Sequence, residues 1–163
     1  MKSKTCFLHP ANLFVPLLLI AFSPVVRGQA NVLSVGEILP LHLKRGETVE
    51  QKLTLQLRPG FHVNSNKPND EFLIPLRLTW STSSAVEAAP VQYPAPKTEK
   101  SDFSEKPLSV FDGDFRIVTL FRASPSATPG AGVLNGKLRY QACNNRECLQ
   151  PKTIDLKLPY DIE

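Results

Sequence analysis

The chain has 163 residues, about one domain's worth, with 19 basic and 15 acidic side chains and three cysteines. Lys2, Lys4 and Arg27 fall in the first 30 residues, which hold no acidic group, so the remaining 133 residues carry 16 basic against 15 acidic side chains, a net charge of +1. That near-neutral balance excludes a nucleic-acid footprint, and 133 residues are enough to bury a core without staples.

The first element is an expected export signal over residues 1–30. Two lysines precede the apolar run LFVPLLLIAF (Leu13 to Phe22), and the polar stretch SPVVRGQA follows, with small residues at Gly28 and Ala30. Ten apolar residues are too few for a stable membrane span. Cleavage is placed after Ala30, with Gly28 as the alternative site and a retained anchor as the competing interpretation. Cys6 precedes the apolar run, so a lipoprotein anchor is not expected and this cysteine leaves with the signal. No later apolar run approaches about 18 residues, so residues 31–163 are expected to form one exported, soluble domain.

Within that domain the dominant period is two. Leu39, Leu41 and Leu43 alternate with polar or small neighbours, and so do Leu53, Leu55 and Leu57. The same holds for Ile74, Leu76, Leu78 and Trp80, then for Leu138, Tyr140 and Ala142, then for Ile154, Leu156 and Leu158. Successive side chains of a strand point to opposite faces, so each run predicts one buried and one wet face. Breakers separate the runs: Arg58-Pro59-Gly60, Asn64 to Asp70, Pro90 to Pro96, Asp112-Gly113-Asp114 and Ser124 to Gly132. The last of these reads as a mobile loop between strands. Fifteen prolines disfavour long helices, and no segment sustains a period of 3.6. Short amphipathic strands with frequent turns predict an all-β fold, an immunoglobulin-like antiparallel β-sandwich.

Near the end stands YQACNNRECLQP (Tyr140 to Pro151), in which Cys143 and Cys148 flank four residues. If the flanking runs pair as a hairpin, the two cysteines oppose each other across its mouth. Opposed strand residues have Cα atoms about 4.5–5.5 Å apart, within the ~4.4–6.8 Å that disulfides accept. The asparagines of the loop suit the left-handed backbone that tight turns need. Closing so short a ring stabilises by roughly 2 kcal/mol in the chain-entropy model, against nearly 5 for a loop of about 100 residues. Arg146 in the loop favours a thiolate and Glu147 opposes it. Spacing alone leaves three interpretations open: a redox pair, a structural staple and a metal half-site. Zinc needs three or four ligands, and neither His42 nor His62 has ligand spacing to the cysteines. Copper(I) accepts two thiolates, but the single methionine is the initiator. No metal or cofactor is therefore expected.

Other chemistries lack their motifs. There is no glycine-rich phosphate loop, GxSxG or HExxH. Asp70-Glu71 and the Asp112/Asp114 pair read as solvated turn formers. Trp80 reads as core.

Three blocks carry a resemblance: PGFHVNSNKPNDEFLIP (Pro59 to Pro75), FSEKPLSVFDGD (Phe103 to Asp114) and KLRYQACNNRECLQP (Lys137 to Pro151). In this order and spacing they resemble the N-terminal periplasmic domain of the thiol:disulfide interchange protein DsbD, a protein-disulfide reductase also tied to cytochrome c biogenesis. Gln150 stands where the family commonly has the first of two prolines, and the cysteines flank four residues where its best-known members have five. The resemblance implies an immunoglobulin-like sandwich whose redox disulfide is Cys143–Cys148, with Cys148 attacking and Cys143 resolving. It implies a cap loop at Asp102, Phe103, Ser104 and Glu105, with Phe103 as the shielding aromatic; the plain alternative for Phe103 is an edge-strand core residue. It also implies electrons arriving from a membrane-embedded relay through a thioredoxin-like domain. They would leave to oxidised periplasmic proteins such as disulfide isomerases and cytochrome c maturation factors. The sequence shows neither a relay nor a thioredoxin-like CxxC segment, so the terminal domain alone is expected, working as a monomer. The rivals are a non-enzymatic β-sandwich binding module stiffened by a hairpin disulfide, and a Cu(I)–thiolate carrier.

Overall fold

Alternating side chains become twelve strands in the computed structural model, which describes residues 31–81, 83–101 and 104–163; the expected signal at 1–30 lies outside them. In β3 (Thr48–Leu57) Gln51, Leu53, Leu55 and Leu57 are buried, and in β9 (Asp114–Ala123) Ile117, Thr119, Phe121 and Ala123 are buried. These two pair antiparallel over nine positions, from Thr48 opposite Arg122 to Gln56 opposite Asp114. With β1 (Leu33–Val35) and β6 (Val86–Ala88) at the edges they form one sheet, in the order β1-β3-β9-β6. A second sheet has β10 (Gly130–Tyr140) and β12 (Lys152–Ile162) at its centre, paired over eleven positions, with β5 (Arg77–Trp80) on one side and β2 (Leu41–Leu43) on the other. No helix occurs among the described residues.

The two sheets face each other as a sandwich. Leu53, Leu55 and Ile117 from the first meet Leu78, Leu138 and Leu156 from the second in one apolar cluster. Val86 and Phe121 meet Leu43, Leu134 and Leu158 in another. Trp80 packs against both clusters. Its indole N–H donates to Thr119 Oγ1 on the opposite sheet at 3.1 Å, and its ring meets Phe121 edge-on at 5.3 Å. The core role expected for Trp80 is observed.

The immunoglobulin-like sandwich expected from the alternation is present, with four local differences. First, β2 runs parallel to β12, Leu41 lying opposite Tyr160. Almost the whole chain separates those strands, so no tight turn forces them antiparallel. Second, β5 begins only at Arg77, because Pro75 has no N–H to give a ladder. Third, Leu39 lies outside β2 and is 60% exposed. Fourth, the stretch read as a mobile loop is shorter and anchored: β10 begins at Gly130, Ala127 is buried, and Ala127 N–H donates to Ser124 O at 3.0 Å.

A third sheet, β11-β4-β8-β7, carries the cysteine pair. Its strands are β4 (His62–Asn64), β7 (Lys97–Ser101), β8 (Ser104–Asp112) and β11 (Ala142–Cys143). Val63, Phe111 and Ala142 lie opposite one another across it and join the core. By alternation His62, Asp112 and Cys143 share its other face.

Gly136 is a point of close approach. A Cβ there would lie 2.7 Å from Trp80 Cζ3 and 2.9 Å from Cε3. Gly136→Val should displace the indole from both Thr119 and Phe121, destabilising the domain by about 1–3 kcal/mol, the usual cost of overpacking. Denaturant unfolding of the oxidised protein checks this.

Candidate functional site

The disulfide forms because the chain changes sheets just before it. β10 and β12 pair as far as Tyr140 opposite Lys152. At Gln141 the chain leaves that sheet, and Ala142 and Cys143 pair with Val63 and His62 of β4. The expected continuous hairpin is therefore interrupted. Cys143 belongs to the third sheet, and what remains of the hairpin is an isolated antiparallel bridge between Cys143 and Cys148. The bonds from Leu149 N–H to Ala142 O (2.8 Å) and from Asn144 N–H to Glu147 O (2.9 Å) flank that bridge. The cysteines are thus a non-hydrogen-bonded pair, the closer type in an antiparallel ladder. Their Cα atoms lie 4.0 Å apart and the sulfurs are bonded. This is tighter than the range expected from the sequence.

The four-residue loop is held by a side chain. Asn144 Oδ1 accepts from the N–H groups of Arg146 (2.8 Å) and Glu147 (2.9 Å). No non-glycine residue among those described has a positive φ. The asparagine therefore serves as a backbone acceptor, an Asx-type turn, rather than as a carrier of left-handed backbone. Gln141 fixes the other flank. Its Nε2 donates to Leu149 O at 3.1 Å, and its Oε1 accepts from Ile74 N–H at 3.4 Å, tying the β4–β5 connection to the disulfide.

The two cysteines differ in exposure. Cys143 is fully buried, whereas Cys148 is partly exposed at the edge of the loop. Arg146 and Glu147 are exposed. The sequence set the two cysteines across the mouth of a hairpin; pairing with β4 covers one of them only.

Behind Cys143 lies a polar row. His62 faces Cys143 on one side and Asp112 on the other. His62 is 2% exposed, and its Nδ1 lies 3.3 Å from Glu99 Oε2. Burial lowers the His62 pKa below its ordinary 6.5, against the opposing pull of Glu99 and Asp112. Asp112 pairs in turn with Lys97 at 2.6 Å. Nε2 of His62 has no hydrogen-bond partner among the described residues, and the same holds for Oδ1 of the fully buried Asn64. Sequence reasoning set His62 aside for lack of ligand spacing. Its position inside the block FHVN, directly on the strand that receives Cys143, was not visible from spacing along the chain. His42 lies exposed on β2, in a different sheet.

The Glu99–His62 contact also reports the shape of the β7–β8 ribbon. Glu99 is registered with Leu108, four residues from Asp112, the residue opposite His62. On a flat ribbon that offset is about 13 Å along the strand. The 3.3 Å contact requires the ribbon to curl over the outer face of β4. Burial of four consecutive residues, Leu108 to Phe111, agrees, since both faces of β8 are covered there. Of the expected cap loop, Ser104 and Glu105 sit on this ribbon. Ser101 pairs with Ser104, the first residue of β8, and Glu105 is exposed. Asp102 and Phe103 lie outside the described residues. A cleft of about 460 Å³ beside the ribbon is lined by His62, Glu99, Asp112, Arg58, Asp114 and Asn145 of the disulfide loop, among others.

Fold and site together define a β-sandwich domain that presents a short-range cross-strand disulfide with one cysteine buried and one partly exposed. The family model of the thiol:disulfide interchange protein DsbD, N-terminal, matches residues 29–159, and the chain belongs to that family. The N-terminal periplasmic domain of ScsB from Proteus mirabilis superimposes with a TM-score of 0.53 at 20% identity, over 72% of this chain and 42% of that one. The chain thus spans about two fifths of that protein's length, and at this identity the likeness concerns the fold. A family 123 glycoside hydrolase from Clostridium perfringens (TM-score 0.37, 11% identity, 82% of this chain and 27% of that one) is more distant. So is the PapD-like domain 7 of human CEP192 (0.38, 12%, 95% and 97%). Neither bears on the site. No curated protein matches the sequence.

His62 makes the stability of the oxidised domain pH-dependent. Unfolded, the imidazole binds a proton near pH 6.5; folded, it does so only at lower pH. The unfolded state therefore binds more protons as pH falls through this window. Stability is full above about pH 6.5 and should decline from there toward the lowered folded-state pKa. His62→Gln should make that decline shallower, read from thermal unfolding between about pH 7.5 and 5.

Proposed function

We propose that this protein is an exported thiol:disulfide carrier. It accepts electrons from a membrane relay or a thioredoxin-like partner and reduces disulfides of periplasmic proteins through Cys143 and Cys148. The observation that carries this reading is the unequal exposure of the two cysteines. An exchange centre needs one sulfur within reach of a partner and a second held back to resolve the mixed disulfide. A staple needs no such division. The ring of five residues' separation also lies inside an already bonded turn, where loop closure adds little.

In the reducing direction the Cys148 thiolate attacks a partner disulfide, forming a mixed disulfide and releasing a partner thiolate. Cys143 then attacks Cys148 sulfur, restoring the intramolecular bond and expelling the partner's second sulfur. Two electrons pass to the partner. The export signal expected at residues 1–30 from the sequence and membership of the family support a periplasmic setting.

Non-reducing gels with oxidised thioredoxin as the partner test the roles. Cys143→Ser should accumulate a mixed disulfide through Cys148, and Cys148→Ser should give neither transfer nor adduct. An adduct in Cys148→Ser alone would reverse the assignment. The cap belongs to the same proposal: Phe103, which lies outside the described residues, shields the reduced pair until a partner displaces it. Phe103→Ala should then speed reaction with a small oxidant such as hydrogen peroxide. An unchanged rate removes the cap.

A further inference from the structure

Thiol–disulfide exchange moves protons as well as electrons, and the two sulfurs alone do not account for the proton of the sheltered thiol. Cys143 is fully buried, so solvent cannot take its proton readily when it must become a thiolate to resolve. The residue opposite it is His62. Directly paired residues on antiparallel strands hold their Cβ atoms about 4.5–5.5 Å apart on one face. The imidazole is also buried, with Nδ1 beside the Glu99 carboxylate. A carboxylate so close to Nδ1 favours the tautomer with the ring proton there and the lone pair on Nε2.

That Nε2 is one of the buried polar atoms without a hydrogen-bond partner among the described residues. Buried polar groups are almost always satisfied, so the exception needs a cause. The redox state supplies one. In the disulfide form Cys143 has no S–H to donate; on reduction it gains one, on the strand facing His62. The charged groups around the imidazole are Glu99 from β7, Asp112 from β8 with its partner Lys97, and Arg58 and Asp114 at the cleft. Burial keeps the ring neutral, and so able to accept a proton, at neutral pH.

We propose that His62, oriented by Glu99, is the proton acceptor for Cys143 in the resolving step. The inference rests on the exchange reading above. In the mixed disulfide, the Cys143 S–H proton passes to His62 Nε2. The resulting thiolate attacks Cys148 sulfur, the Cys143–Cys148 bond forms, and the bond from Cys148 to the partner breaks. The partner sulfur leaves with the electron pair and takes up the proton that His62 then releases. Glu99 is a positioning residue, acting through the imidazole.

The test separates attack from resolution. In a Cys6→Ser background, the reduced protein is mixed with substoichiometric 5,5′-dithiobis(2-nitrobenzoate). Attack by Cys148 releases one thionitrobenzoate, and resolution by Cys143 releases the second, both visible in stopped-flow absorbance. His62→Phe should slow the second phase at pH 7 by about tenfold or more, within the usual range for loss of a general base. Its pH profile should move up toward ordinary thiol ionisation near 8.5. The first phase should change little. Glu99→Gln, a variant that leaves the strand register intact, should slow the second phase by a smaller factor. Wild-type second-phase rates and pH profiles in both variants would overturn the role of His62 while leaving exchange standing. A wild-type protein that releases no second equivalent would overturn the exchange reading, and the proton role with it.

Discussion

Between Tyr140 and Ala142 the chain leaves the β10–β12 sheet and pairs with β4, and the site depends on that step. Had the hairpin continued, Cys143 and Cys148 would both stand at an open tip. Instead Cys143 enters a second set of backbone hydrogen bonds and is buried beside His62, while Cys148 remains at the edge. Gln141 holds the crossing in place by bonding Leu149 on one side and Ile74 on the other. The sandwich contributes a rigid frame: Val63, Phe111 and Ala142 anchor the inner face of the third sheet in the main core. The outer face of that sheet is then free to carry polar groups.

Two of those polar groups, His62 and Asn64, are buried, and Asp112 beside them is partly exposed. A neutral histidine, an ion-paired aspartate and an asparagine lie on two adjacent strands, with two acceptor atoms, His62 Nε2 and Asn64 Oδ1, left unpartnered among the described residues. Low dielectric makes such atoms costly when alone and effective when a partner arrives. A reduced Cys143 is one such partner. The curled β7–β8 ribbon brings Glu99 to the imidazole.

Much of the fold was legible because period-two alternation reports burial directly. Leu53, Leu55, Leu57, Leu138, Tyr140, Leu156 and Leu158 are buried as the alternation predicts. Strand partners were less legible. Alternation says which face a residue takes but not which strand lies beside it, so the parallel β2–β12 pair and the transfer of Ala142–Cys143 to β4 were missed. At the site, cysteine spacing permitted the disulfide that is present, because a cross-strand bond depends on a short turn, but it left a metal half-site open as well. The direction of attack came from resemblance, and the burial difference that supports it is a tertiary effect. His62 was passed over because its partners come from three strands distant in sequence: Glu99, Asp112 and Cys143.

The reduction potential of Cys143–Cys148 tests the central claim most directly. Equilibrated against glutathione and thioredoxin redox buffers, the oxidised and reduced protein can be counted by thiol alkylation and mass. A carrier that exchanges electrons with thioredoxin-like partners should have a potential near the thioredoxin range, about −270 mV. A value well below about −300 mV, with the bond intact in reducing glutathione, would mark a structural disulfide and contradict the account.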